Sequence, residues 1–125
     1  MQVEDIGQEA VDAAIQVHSA LGPGLLENAY EACLEHELRK RGLRADRQAA
    51  LPLEYDGVRL DVGYRVDLLV ERQVVIELKV VNKLNDLHLA QVLSYLKLGA
   101  FRLGYLFNFN VPRMSHGIRR VVNGL

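Results

Sequence analysis

The sequence predicts a mixed α/β domain with a partly antiparallel sheet. Helical periodicity opens the chain and returns late, strand periodicity fills the middle, and turn signals separate the two. At 125 residues the chain suits one domain, 1–125, with a single core. Half of its residues are hydrophobic and a quarter charged, an ordinary globular balance.

Ile6, Ala10, Ala13, Val17 and Leu21 recur at spacings of three and four, which predicts an amphipathic first helix. Leu21-Gly22-Pro23-Gly24 stops it. A second helix is expected from about Leu25 to Arg41. Leu26, Tyr30, Cys33 or Leu34, and Leu38 form its apolar stripe, and Gly42 suits its end. From Leu43 to Lys83 the chain reads as strands, with an Asp56-Gly57 turn signal between apolar runs. YRVDLLV, 64–70, and VVIELKV, 74–80, alternate and are joined by Glu71-Arg72-Gln73, so a hairpin with a short loop is expected. Helical period returns from Asp86 to Leu98, with Leu87, Ala90, Leu93 or Ser94, and Lys97 on successive turns. RLGYLFNF, 102–109, reads as a further strand and SHGIRRVVN, 115–123, as a short final helix. Two helices, several strands, helix, strand, helix make a mixed α/β order.

Composition limits the function classes. No apolar run reaches the roughly 18 residues of a membrane span. The opening MQVEDIGQEA has acids where a signal peptide has a positive region, so an intracellular, cytoplasmic protein is expected. Cys33 is the only cysteine, which excludes an internal disulfide and a thiolate metal cage and leaves apolar filler as its expected role. Net charge is −1 but unevenly spread. Residues 1–38 hold eight acids and no Lys or Arg. Arg39, Lys40, Arg41, Arg44 and Arg47 follow against Asp46 alone, and residues 87–125 carry Lys97, Arg102, Arg113, Arg119 and Arg120 with no acid. Such clusters form either a solvated face or a groove for a phosphate backbone.

The hairpin carries the chemistry. Matching its apolar faces puts Val70 opposite Val74, Leu68 opposite Ile76 and Val66 opposite Leu78. The other face then pairs Leu69 with Val75, Asp67 with Glu77 and Arg65 with Lys79. Opposed Cβ atoms lie about 4.5–5.5 Å apart, where like charges repel. Two carboxylates that close can share a divalent cation, and hard oxygen ligands favour Mg²⁺ or Mn²⁺ over Zn²⁺. In the following helix Gln91 and Tyr95 are four apart on one face, with His88 on the same side. Glu27 begins a Glu27, Glu31, Glu35 row at spacing four, which reads as a solvated acidic edge, and an acid in a first turn complements the helix dipole. Tyr30 reads as packing, and His18 and His36 as ordinary helix positions.

In this order, Asp67, Glu77-Leu78-Lys79 and Gln91-x-x-x-Tyr95 resemble the PD-(D/E)XK nuclease superfamily, the last element being similar to its RecB-type branch. Val66 stands where the superfamily's name has Pro. Gly24-Leu25-Leu26-Glu27-Asn28-Ala29-Tyr30 resembles the signature that names the GxxExxY protein family. VHSALGPGLLENAYE, GYRVDLLV and LFNFNVPRMSHGIRRVV also look like that family, so the resemblance covers nearly the whole chain. It implies a restriction-endonuclease-like core, a central mixed β-sheet flanked by helices in αβββαβ order, and an Mg²⁺- or Mn²⁺-dependent nuclease, a phosphodiesterase acting on nucleic acid. Asp67 and Glu77 would be metal ligands, with the Leu78 backbone carbonyl as a third. Lys79 would orient the attacking water and stabilise the transition state. Glu27 would complete the metal shell through water. Gln91 and Tyr95 would position the site or the strand, with His88 approaching it. The competing expectation is an inactive nuclease-fold module that binds nucleic acid or a protein partner through the basic segments. DNA is the expected partner and a membrane is not. A homodimer would let so small a nuclease address two strands.

Overall fold

Ile6, Ala10, Ala13, Ala14 and Val17 line the buried side of α1, the helix Val3–Leu21, in the computed structural model, which describes residues 1–125. His18 is buried on the same side, and its Nε2–H donates to the Val111 carbonyl at 2.7 Å. The chain leaves α1 at Gly22, where φ is +69°, a conformation that favours glycine. α2 follows at Glu27–Lys40 and buries Tyr30, Leu34 and Leu38. Leu26, expected in that stripe, is 80% exposed because the helix starts one residue later, and Cys33 is only half-buried. Arg41 ties the two helices by reaching Glu37 at 2.9 Å and Glu9 at 3.1 Å.

The strands are β1 (Ala45–Ala50), β2 (Leu53–Tyr55), β3 (Val58–Leu60), β4 (Arg65–Val70), β5 (Val74–Lys79), then, after helix α3 (Asp86–Gly99), β6 (Leu103–Asn108) and β7 (Ile118–Val122). Five of them form one sheet in the order β1-β4-β5-β6-β7, while β2 and β3 make a separate hairpin. That hairpin turns at Asp56 and Gly57, both at positive φ, as the Asp-Gly signal predicts. β5 and β6 run parallel with α3 crossing between them, and the other pairs of the sheet are antiparallel. All six β6 residues are buried, as befits a central strand with both faces covered. Leu68, Val70, Val74, Ile76, Leu78 and Phe107 join the larger apolar cluster with α1 and α2. Val75 and Leu106 meet Val92 and Leu96 of α3 on the opposite face. The result is a mixed sheet flanked by helices, consistent with a restriction-endonuclease-like fold. No helix is long and apolar enough to cross a membrane.

The β4–β5 register matches the expected one at Val70–Val74, Leu69–Val75 and Leu68–Ile76. α3 forms where expected, at Asp86–Gly99, burying Val92 and Leu96 and leaving Leu87 79% exposed. One expectation needs correction. The last segment is a 3₁₀ turn at Met114–Gly117 followed by β7, not a helix. Ile118, Val121 and Val122 suit a strand, and β7 supplies the open edge of β6 with a partner from Phe107–Ile118 to Leu103–Val122.

Gly117 makes that turn possible. A Cβ there would lie 2.1 Å from the Asn108 carbonyl oxygen. Gly117→Ala is therefore expected to cost about 1–3 kcal/mol, the usual range for forced overpacking, read as a fall in Tm. An unchanged Tm would mean that the end of β6 shifts freely.

Candidate active site

The central hairpin stops pairing where its acids begin. The β4–β5 ladder ends at Leu68–Ile76, so the expected pair Asp67–Glu77 is not part of it. Asp67 fills the gap with its side chain, and its Oδ2 accepts the Leu78 amide at 2.8 Å. The carboxylate thereby does what a backbone carbonyl would do in a closed ladder. The expected pairs Val66–Leu78 and Arg65–Lys79 lie beyond this point and do not form.

Glu77 faces into the opening and is 5% exposed. Its Oε1 has no hydrogen-bond partner. Burial pushes its carboxyl up to about 9, the neighbouring Asp67 adds to the rise, and the Lys79 ammonium opposes it. Lys79, half-buried at the end of β5, lies two residues on, on the same face.

The start of α2 brings a third acid. Although Glu27 is exposed, partial desolvation raises its carboxyl above its usual value, Asp67 raises it further and Lys79 lowers it, so Glu27 lies in the field of both. The turn before α2 is held by a side chain of the helix itself. The Tyr30 hydroxyl donates to the Gly22 carbonyl at 2.5 Å and accepts the Leu25 amide at 3.2 Å. Its ring stacks on Phe109 at 4.5 Å between centroids. Tyr30 thus latches the Gly22–Leu25 turn over its own helix and fixes where Glu27 begins. Packing, as expected for Tyr30, is only part of its role.

Glu31 corrects the reading of a solvated acidic edge. It is 4% exposed and accepts from Arg47 Nη2 at 3.0 Å and Gln48 Nε2 at 2.7 Å. The same Gln48 Nε2 reaches Asp67 Oδ1 at 3.2 Å. Neither Glu31 nor Gln48 was expected at the site. One signal pointed to Glu31, which lies one turn after Glu27 and therefore on its face. The basic run is also committed within the chain. Arg39 pairs with Glu35, Lys40 and Arg41 with Glu37, Arg44 with Asp46, and Arg47 with Glu31.

From α3, Gln91 Nε2 donates to the Tyr95 hydroxyl at 3.2 Å. Burial holds the Tyr95 hydroxyl above its usual value, and the Glu77 carboxylate adds to the rise. Its ring lies 5.9 Å from that of Tyr64, just before β4. His88 is engaged elsewhere: its Nδ1 accepts the Asn85 amide at 3.1 Å, closing a capping box at the start of α3.

Two carboxylates, one carrying a buried oxygen without a partner, fit a hard divalent cation. No three His, Cys, Asp or Glu side chains converge at metal-holding distance. An ion held by these two carboxylates would have to take its remaining ligands from water or substrate.

A family model described as the PD-(D/E)XK nuclease superfamily matches residues 4–121. The solved structure of SSO0001 superposes with a TM-score of 0.58 at 20% identity, over 98% of this chain and 60% of that one, a likeness of fold. The chain thus spans about 60% of that protein's length. No curated protein matches the chain.

Without metal, Glu77 should set a pH dependence of stability. Its folded value of about 9 lies above the usual 4.5, so the folded state holds an extra proton between them. Its contribution is full below about 4.5 and lost as pH rises to about 9. Melts of Glu77→Gln should show a flatter pH profile and a rising advantage over wild type toward pH 9. Parallel profiles would show that the carboxyl is not held protonated. Tyr30→Phe should keep the Phe109 stack but lose the latch, at about 0.5–1.5 kcal/mol. A denaturant midpoint equal to wild type would show that the hydroxyl holds nothing.

Proposed function

Because the chain belongs to the PD-(D/E)XK nuclease superfamily, we propose that it hydrolyses phosphodiester bonds in nucleic acid with Mg²⁺ or Mn²⁺, DNA being the first substrate to test. The observation that carries the reading is the buried Glu77 oxygen with no partner, held beside Asp67 where the strands part. A polar atom left unsatisfied in the interior is costly, and a cation would satisfy it.

Asp67, Glu77 and the Leu78 backbone carbonyl would hold the ion. Bound there, it supplies Lewis-acid polarisation of a phosphate oxygen. Lys79 orients the attacking water and balances charge as it builds on the phosphoryl group. Glu27, reaching through water, adds a further acceptor from α2 and receives or returns a proton on that side. Tyr95, its hydroxyl held by Gln91, lies against the sugar–phosphate strand, and Gln91 keeps it there. His88 serves the start of α3 and approaches the strand only through its free ring edge. The valines around Glu77 exclude water and lower the local dielectric, so each of these charges acts more strongly than it would at the surface.

Asp67→Asn, Glu77→Gln and Lys79→Ala should each abolish metal-dependent cleavage across a panel of labelled single- and double-stranded oligonucleotides while leaving circular dichroism and folding intact. Full cleavage by any one of them would sink the assignment. Oligonucleotide binding without turnover in wild type would instead leave a nuclease-fold binding module.

A further inference from the structure

Gln48 breaks the rules of the strand that contains it. It lies inside β1 at φ +51°, a left-handed conformation that costs a non-glycine residue energy. No residue is inserted to explain it, since Arg47–Leu68 and Ala49–Val66 keep one register on either side. Only the pair between them, Gln48 with Asp67, is missing from the ladder.

The consequence appears on both strands. Residues 66, 68 and 70 of a regular strand share a face. Here Leu68 and Val70 pack in the cluster against α1 and α2, whereas Val66 packs in the cluster under α3. Ala45 and Ala49 of β1 divide the same way. The β1–β4 pair therefore changes faces at Gln48 and Asp67. The same turn lets consecutive residues Arg47 and Gln48 both reach Glu31, which a regular strand forbids because neighbours point to opposite sides. One Gln48 amide nitrogen then bridges the buried Glu31 and Asp67 Oδ1, while Leu78 holds Oδ2.

We infer that Gln48 is a positioning residue for the metal-ligating carboxylate of Asp67, joining it through Glu31 and Arg47 to the helix that carries Glu27. The inference rests on the proposed metal-dependent site. Gln48 gives each carboxylate one N–H. A left-handed backbone is kept here because it aims that amide.

Gln48→Gly separates this role from a merely structural one. Glycine adopts φ +51° without strain, so a residue present only for backbone shape should be replaced at no cost. The expected result is a folded protein with a metal-free Tm lowered by the lost hydrogen bond to the buried Glu31, together with an Mn²⁺ dissociation constant weakened by about 10–100-fold, the usual effect of losing a partner behind a metal ligand. Calorimetry with Mn²⁺, with and without an uncleavable phosphorothioate oligonucleotide, reads the second quantity, and Asp67→Asn is the control. Wild-type affinity in Gln48→Gly, with binding lost in Asp67→Asn, overturns the role of Gln48 and leaves the metal site standing. No Mn²⁺ binding by wild type, even with the oligonucleotide, overturns the proposed function and this inference with it. Should the glycine variant fail to fold, Gln48→Asn makes the same comparison, since Asn tolerates the left-handed region and its shorter amide cannot span both carboxylates.

Discussion

One hydrogen bond organises this site. The Leu78 amide donates to a side-chain carboxylate, not to the backbone of β4. A buried amide needs an acceptor, and by supplying one Asp67 lets the two strands part without leaving an orphan. The parting makes room for Glu77, orients Lys79 one pleat further along, and opens the sheet to α2 on one side and α3 on the other. Asp67 cannot be exchanged for an apolar residue without either closing the ladder or stranding that amide.

The same geometry concentrates cost where chemistry is expected. Glu77 is a carboxyl buried without a full set of partners, Gln48 holds a left-handed backbone in mid-strand, and Glu31 is an acid enclosed in the core. Features of this kind survive only when the surroundings over-determine them. Here the surroundings are specific: the Tyr30 latch at the start of α2, the Arg47–Glu31 pair, and the unbroken Val70–Val74 end of the hairpin. The stable end of β4–β5 is apolar and regular, and the open end is polar and irregular. That division suits a rigid base that presents a few costly groups.

Much of this was legible in the sequence. Strict alternation in YRVDLLV and VVIELKV fixed one register, because a slip by one residue would have turned an apolar face to water. The expectation that Asp67 lies opposite Glu77 followed from that register alone, and the ladder ends one pair short of it. Glu27 was reached through resemblance, since a helical row of acids at spacing four looks the same whether it faces water or a site. For the same reason Glu31 was misread as solvated. Gln48 left no signal, because a non-glycine residue at positive φ is set by its tertiary partners and not by local propensity. The final strand was missed because nine residues with a Gly and two Arg fit either period, and only the open edge of β6 decides between them.

The central claim is that Asp67 and Glu77 hold a divalent cation at the open end of the hairpin. Diffraction at the manganese absorption edge, from crystals grown with Mn²⁺ and an uncleavable oligonucleotide, tests it most directly. The account predicts an anomalous peak beside the Asp67 and Glu77 carboxylates. Crystals holding the oligonucleotide with no peak there, or with Mn²⁺ bound only elsewhere, would contradict it.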